Sequence, residues 1–211
     1  MIGEAISDTA GDAAASPLFV EPGRVVGLVG PPGFGLTRLG LSLLAVPARR
    51  GPVAVLDARG WLCPAAAWEA GVSPERLIVV RCDDFRRWPR VTAALLEGLG
   101  ATYAEVPTGV GEAALRRLGA LARARRAALL LRPLRGDLPS GLAHLRLEAQ
   151  GVAWDGPATG HGRLGRRRLT LRASGRGTGD IEQVFEVEDD GTDAVCVVPG
   201  LAPAAAGRAA G

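Results

Sequence analysis

Residues 25–43 read VVGLVGPPGFGLTRLGLSL. An apolar run, a glycine-rich break and then leucines at helical spacing predict a buried strand, a tight turn and a helix. Within it, residues 30–37, GPPGFGLT, follow the phosphate-loop pattern G-x-x-x-x-G-K-[ST] except at one position. Leu36 stands where the lysine belongs. Gly30, Gly33 and Gly35 would let backbone N–H groups turn inward, and the following helix N-terminus adds partial positive charge. Thr37 has the hydroxyl that such a loop offers to Mg²⁺. The lysine would stabilise charge on the β- and γ-phosphates. Leucine brings neither charge nor a hydrogen bond, and Arg38 projects elsewhere along the helix. A glycine turn that packs a helix close to a sheet is also common, so the loop alone leaves a nucleotide-site relic and a plain turn both open.

Composition narrows the class. A chain of 211 residues is long enough for one domain with a full core. Its 47% hydrophobic and 22% charged content is that of a globular protein. All 25 basic residues are arginine, so no lysine elsewhere can replace the missing one. Arginine usage of this kind reflects a GC-rich coding sequence. The net charge of +3 permits contact with nucleic acid without arguing for it. Cys63, Cys82 and Cys196 are far apart and show no metal-binding spacing, so they are expected to be buried free thiols, and no metal site is expected. No signal-peptide pattern or apolar run of membrane-spanning length is present, which predicts a soluble cytoplasmic protein without membrane contact.

Along the chain, residues 1–16 and 199–211 are small, polar or Ala/Gly/Pro-rich and are expected to be disordered tails flanking one domain over 17–198. Strands are predicted at 24–30, 53–58, 76–82, 101–107 and 127–133. Helices are predicted at 37–50, 64–70, 88–100 and 111–126. Strand–helix alternation implies a parallel sheet covered on both faces. Residues 144–156, 167–175 and 183–191 alternate polar and apolar and are expected to extend that sheet at one edge as antiparallel strands.

This order resembles the ATPase core of RecA. A strand leads into the glycine loop, a second ends at Asp57, and a fourth ends near Glu105, where the Walker B acid would fall. The resemblance runs over roughly residues 18–192 and implies an α/β fold: a RecA-like P-loop-NTPase core with a mainly parallel sheet, helices on both faces and antiparallel strands added at the C-terminal end. In RecA-type enzymes a glutamate after the second strand activates the attacking water. The matching position here is Arg59, which cannot serve as a base. Leu36 and Arg59 together point to a retired catalytic site, with Asp57 and Glu105 as relic acids and no cofactor beyond weak residual binding of ATP or ADP. The segments that would match the DNA-binding loops, PTGVG (107–111) and LRGDLPSG (134–141), are short. A RecA core with a broken phosphate loop and short loops is similar to the ImuA family, and more distantly to SulA-like division inhibitors. The ImuA resemblance implies a non-enzymatic adaptor in damage-induced mutagenic translesion synthesis. Its implied partners are RecA, an ImuB-type protein and the translesion polymerase complex, with DNA contact not required.

Candidate contact residues follow from charge and aromaticity. Arg116, Arg117 and Arg123 stand on the predicted 111–126 helix, and Arg166, Arg167 and Arg168 lie at the start of the predicted 167–175 strand. A basic face of this kind can contact phosphates without reading sequence or bind a protein, and a solvated surface in an arginine-biased chain is the alternative. Trp61 and Trp88 are prominent in a chain with 4% aromatics, and tryptophan is enriched at interface hot spots. Core burial is the more common alternative for both.

Overall fold

The computed structural model describes residues 18, 20–155, 166–179, 182–189 and 196–197. The expected tails lie outside these residues, as does the side chain of Cys196.

Five strands build the parallel part of the sheet: β1 (Val25–Val29), β2 (Val53–Asp57), β3 (Leu77–Arg81), β4 (Ala101–Val106) and β5 (Ala128–Pro133). In β1, β2, β4 and β5 every residue is buried, as continuous apolar runs in a doubly covered sheet should be. β3 is the edge and is only partly covered, with Ile78 exposed. Four further strands follow: β6 (Leu145–Asp155), β7 (Arg166–Ser174), β8 (Gln183–Asp189) and β9 (Cys196–Val197). Together they make one nine-stranded sheet in the order β3-β2-β4-β5-β1-β6-β7-β8-β9.

The sixth strand differs from the expectation. β6 was expected to join by antiparallel pairing, yet it lies parallel to β1, with Val26 opposite Leu145 and Val29 opposite Glu148. Its other edge pairs antiparallel with β7, through an irregularity between Ala149 and Gly151. Alternation of polar and apolar residues tells which face is buried. It carries no information on strand direction, which the long connection from β5 decides.

Helices cover both faces. α1 (Leu36–Ala48) and α2 (Pro64–Trp68) pack on one, where Leu39, Leu41 and Leu44 meet Val26, Leu28, Val55 and Tyr103. α3 (Trp88–Gly98) and α4 (Glu112–Arg125) pack on the other, where Leu96, Leu115 and Leu118 meet Val25, Leu56, Leu129 and Leu131. Neighbouring residues of β1 and β5 therefore serve opposite cores, the period-2 consequence of the pleat. α4 starts with Glu112 and ends with Arg123 and Arg125, charges that suit the helix dipole at each end. No helix among the described residues is long and apolar enough to cross a membrane. The thiols were expected to be buried, but Cys63 is exposed because it stands ahead of α2 on the loop leaving β2. Cys82 is half-buried, and burial pushes its thiol up from the usual range.

Candidate functional site

The glycine loop connects β1 to α1 at the carboxyl end of the sheet. Gly30, Gly33 and Gly35 all take positive φ (151°, 87° and 76°), so the turn needs residues without a side chain there. Gly35 is the residue before the helix, and its carbonyl accepts the Leu39 N–H at 3.0 Å. Leu36 is 1% exposed and belongs to the α1-side core. The side chain at the lysine position thus packs inward. Thr37, next along α1, lines a cavity of about 290 Å³ with Val55, Asp57, Arg59, Tyr103 and Glu105.

That cavity is dominated by a network drawn from four elements. Glu105, near the end of β4, is 3% exposed. Arg59, two residues past β2, donates through Nε to Glu105 Oε2 at 3.2 Å and through Nη2 to Oε1. Arg132, on β5, places Nη1 3.7 Å from Glu105 Oε1 and donates to the Thr37 hydroxyl. The hydrogen bond to Glu105 holds the Arg59 guanidinium above its usual range, against the desolvation that burial imposes. The Arg59 guanidinium also stands over the Trp61 ring, 5.0 Å from its centroid. Tyr103 is fully buried beside this group, and burial pushes its phenol up to about 12.

Mg²⁺ bound to a nucleotide does not fit this donor set. The ion needs oxygen ligands in an octahedral shell, supplied by the loop threonine and the strand-end acid. Here the Thr37 oxygen accepts from Arg132, and both Glu105 oxygens face guanidinium groups. Asp57 is likewise committed. Its Oδ1 accepts the N–H groups of Gly60 (2.9 Å) and Trp61 (3.3 Å), and its Oδ2 that of Leu62 (2.9 Å). This carboxylate shapes the loop that carries Arg59, and it is a structural residue.

The contact candidates separate. Trp61 is 76% exposed at the carboxyl edge of the sheet. Trp88 is 0% exposed and must be corrected to a core residue. Its Nε1 donates to the Glu105 carbonyl at 2.7 Å, which ties α3 to the end of β4. Arg116, Arg117 and Arg123 are exposed on α4, Arg116 bonding Glu112 through Nε at 2.7 Å. Arg166 is exposed, and Arg168 pairs with Asp155 at 2.9 Å. Arg167 points the other way. It is 9% exposed and shares the inward face with Leu169 and Leu171. A Cβ on Gly35 would fall 1.8 Å from its Nη1, so the guanidinium fills the space beside the loop glycine. It is therefore a correction to the expected surface cluster. Arg132 escaped the sequence reading altogether. Its only signal is being the one charge inside the apolar run AALLLRP (127–133).

A family model described as the MT3502 N-terminal domain matches residues 21–136, more than half of the chain. The chain belongs to this family. The MT3502 N-terminal domain match takes in the glycine loop, Arg59, Glu105 and Arg132, and stops before β6. Among solved structures, the chain is similar to the RadB recombinase. The two are 16% identical with a TM-score of 0.55, over 84% of this chain and 92% of that one. That likeness, with the strand order, shows a RecA-like fold. No curated protein matches the chain.

Proposed function

We propose that this chain is a non-catalytic RecA-like accessory protein that acts by contacting other proteins. The role we assign is that of an ImuA-type adaptor in damage-induced mutagenic translesion synthesis, with RecA, an ImuB-type protein and the translesion polymerase complex as partners. The non-catalytic part rests on Arg132. A guanidinium bonded to the Thr37 hydroxyl and facing Glu105 engages the oxygen groups that would hold the metal on which phosphoryl transfer depends. Arg59 adds a second cation where the reaction needs a base. The adaptor role and its partners rest on the sequence resemblance to the ImuA family alone, and the RadB likeness supports only the RecA-like core beneath it.

A second reading, binding of ATP or ADP without hydrolysis, is favoured by the glycine loop, which keeps its left-handed turns. One experiment separates the two. The purified chain is titrated calorimetrically with Mg·ATP and Mg·ADP while phosphate release is followed. The adaptor reading expects neither heat nor turnover, and saturable heat without turnover gives the second reading. Turnover that disappears in Thr37→Ala would overturn both. Pull-down from DNA-damaged cells then tests the partners: RecA or a translesion polymerase is expected, and a division GTPase in their place would favour a SulA-like role.

A further inference from the structure

A second cleft lies at the other end of the sheet from the glycine loop. Pro52, Gly100 and Ala128, at or just before the starts of β2, β4 and β5, line it together with Val20 and with Val46 of α1. Its volume is about 230 Å³. That is below the roughly 300–1,000 Å³ of a pocket for a nucleotide-sized ligand and suits one large apolar side chain. Val46 is 46% exposed there, an apolar residue left open to water.

Two cations, Arg50 and Arg126, also line the cleft, and no acidic residue does. Among the described residues neither guanidinium has a carboxylate partner, whereas Arg125 next in sequence pairs with Glu97 at 3.8 Å. Arg126 has a second distinction. It follows α4 at φ 55°, the one non-glycine residue with positive φ among those described. Glycine is the favoured residue after a helix in this conformation, because a Cβ strains it. Among the described residues, glycine holds the eleven other positive-φ positions. At this one the chain keeps a strained arginine, beside an apolar cleft and without an internal counter-charge. Strain retained at a surface position points to a contact made there.

We propose that this cleft docks an acidic segment of a partner protein, which inserts one apolar side chain and sets carboxylates against Arg50 and Arg126. Arginine and carboxylate form strong, often bidentate pairs, and an apolar anchor ringed by such pairs is a common hot-spot arrangement. The site is independent of the glycine loop and would stand if the loop bound nucleotide.

The test is fluorescence anisotropy with a labelled peptide, EDELFDEE, against the full chain. Two control peptides are EDEAADEE, without the anchor, and RKRLFKRR, with the charge reversed. Saturable binding of the first is expected, at least about tenfold tighter than either control. Arg50→Glu should weaken it by a similar factor. Arg126→Gly should do the same while melting no lower than the parent, because glycine relieves the backbone; a lost fold therefore cannot imitate a lost site. Absence of saturation by about 1 mM would overturn the proposal, and so would binding unchanged by both substitutions or equal binding of the controls.

Discussion

Leu36 lies so close to the loop that its Cδ1 would stand 3.2 Å from a Cβ built on Gly30. The side chain fills core space under the turn, so its value is structural. Leu36→Ala is expected to lower the unfolding free energy by about 2–5 kcal/mol, the range for a buried leucine truncated without collapse of the cavity. Urea denaturation would check this, and a loss below about 1 kcal/mol would show that the loop, and not the core, governs this position. Glu105 is the counterpart on the polar side. Glu105→Gln leaves Arg132 buried without its counter-charge and should cost about 3–5 kcal/mol. Arg59→Ala should cost clearly less, because that guanidinium is partly open to water, which screens what remains. Equal losses in the two variants would mean that Arg132 does not depend on Glu105.

At the scale of elements, α1 sits against β4 at one narrow point. A Cβ on Gly40 would fall 2.4 Å from the Tyr103 ring. Helix propensity favours alanine over glycine by about 1 kcal/mol, but crowding the contact costs about 1–3 kcal/mol. Gly40→Ala should therefore lower the melting temperature, and a rise would show that the α1–β4 contact is loose. Elements of this kind were largely legible in the sequence. The runs VVGLV, VAVLD and ALLLRP are too continuously apolar to be anything but doubly covered strands, and Leu115, Leu118 and Ala122 recur at helical spacing. What periodicity does not encode is direction and neighbour, so the parallel placement of β6 against β1 emerged only with the fold. Of the two readings open for Trp88, the structure takes core burial over surface contact. The segment around it, CDDFRRWPR, is polar, yet the tryptophan begins α3 and turns under β4.

The whole molecule brings together what the chain keeps apart. Arg132 and Thr37 are 95 residues distant in sequence, and no spacing rule links them. The glycine loop was legible because its residues are contiguous, and the arginine that bonds its threonine was not. The fold also supplies an internal probe, since Tyr103 is the chain's single tyrosine. Its phenol is harder to ionise in the folded protein than the usual value of 10, rising to about 12. A raised pKa of this kind contributes stability in full below pH 10, and that contribution is lost as pH climbs through 12. Absorbance at the phenolate band should therefore stay flat through pH 10 and rise only near 12 or with unfolding. An ordinary titration midpoint in the native protein would mean that water reaches the ring.

The trio of Leu36, Arg59 and Arg132 also constrains where this chain can go next. Leu36→Lys alone would force an ammonium into apolar packing, close to a cavity that Arg59 already lines. Removing Arg132 alone strips Glu105 of one partner and supplies no phosphate ligand in return. An acid at 59 alone would be set against Glu105 with Arg132 the remaining guanidinium beside it. Each single change is expected to destabilise the cluster, and the three side chains come from different parts of the sequence. The three positions are interlocked: a lysine-bearing loop beside an unpaired acid would take changes at all three together.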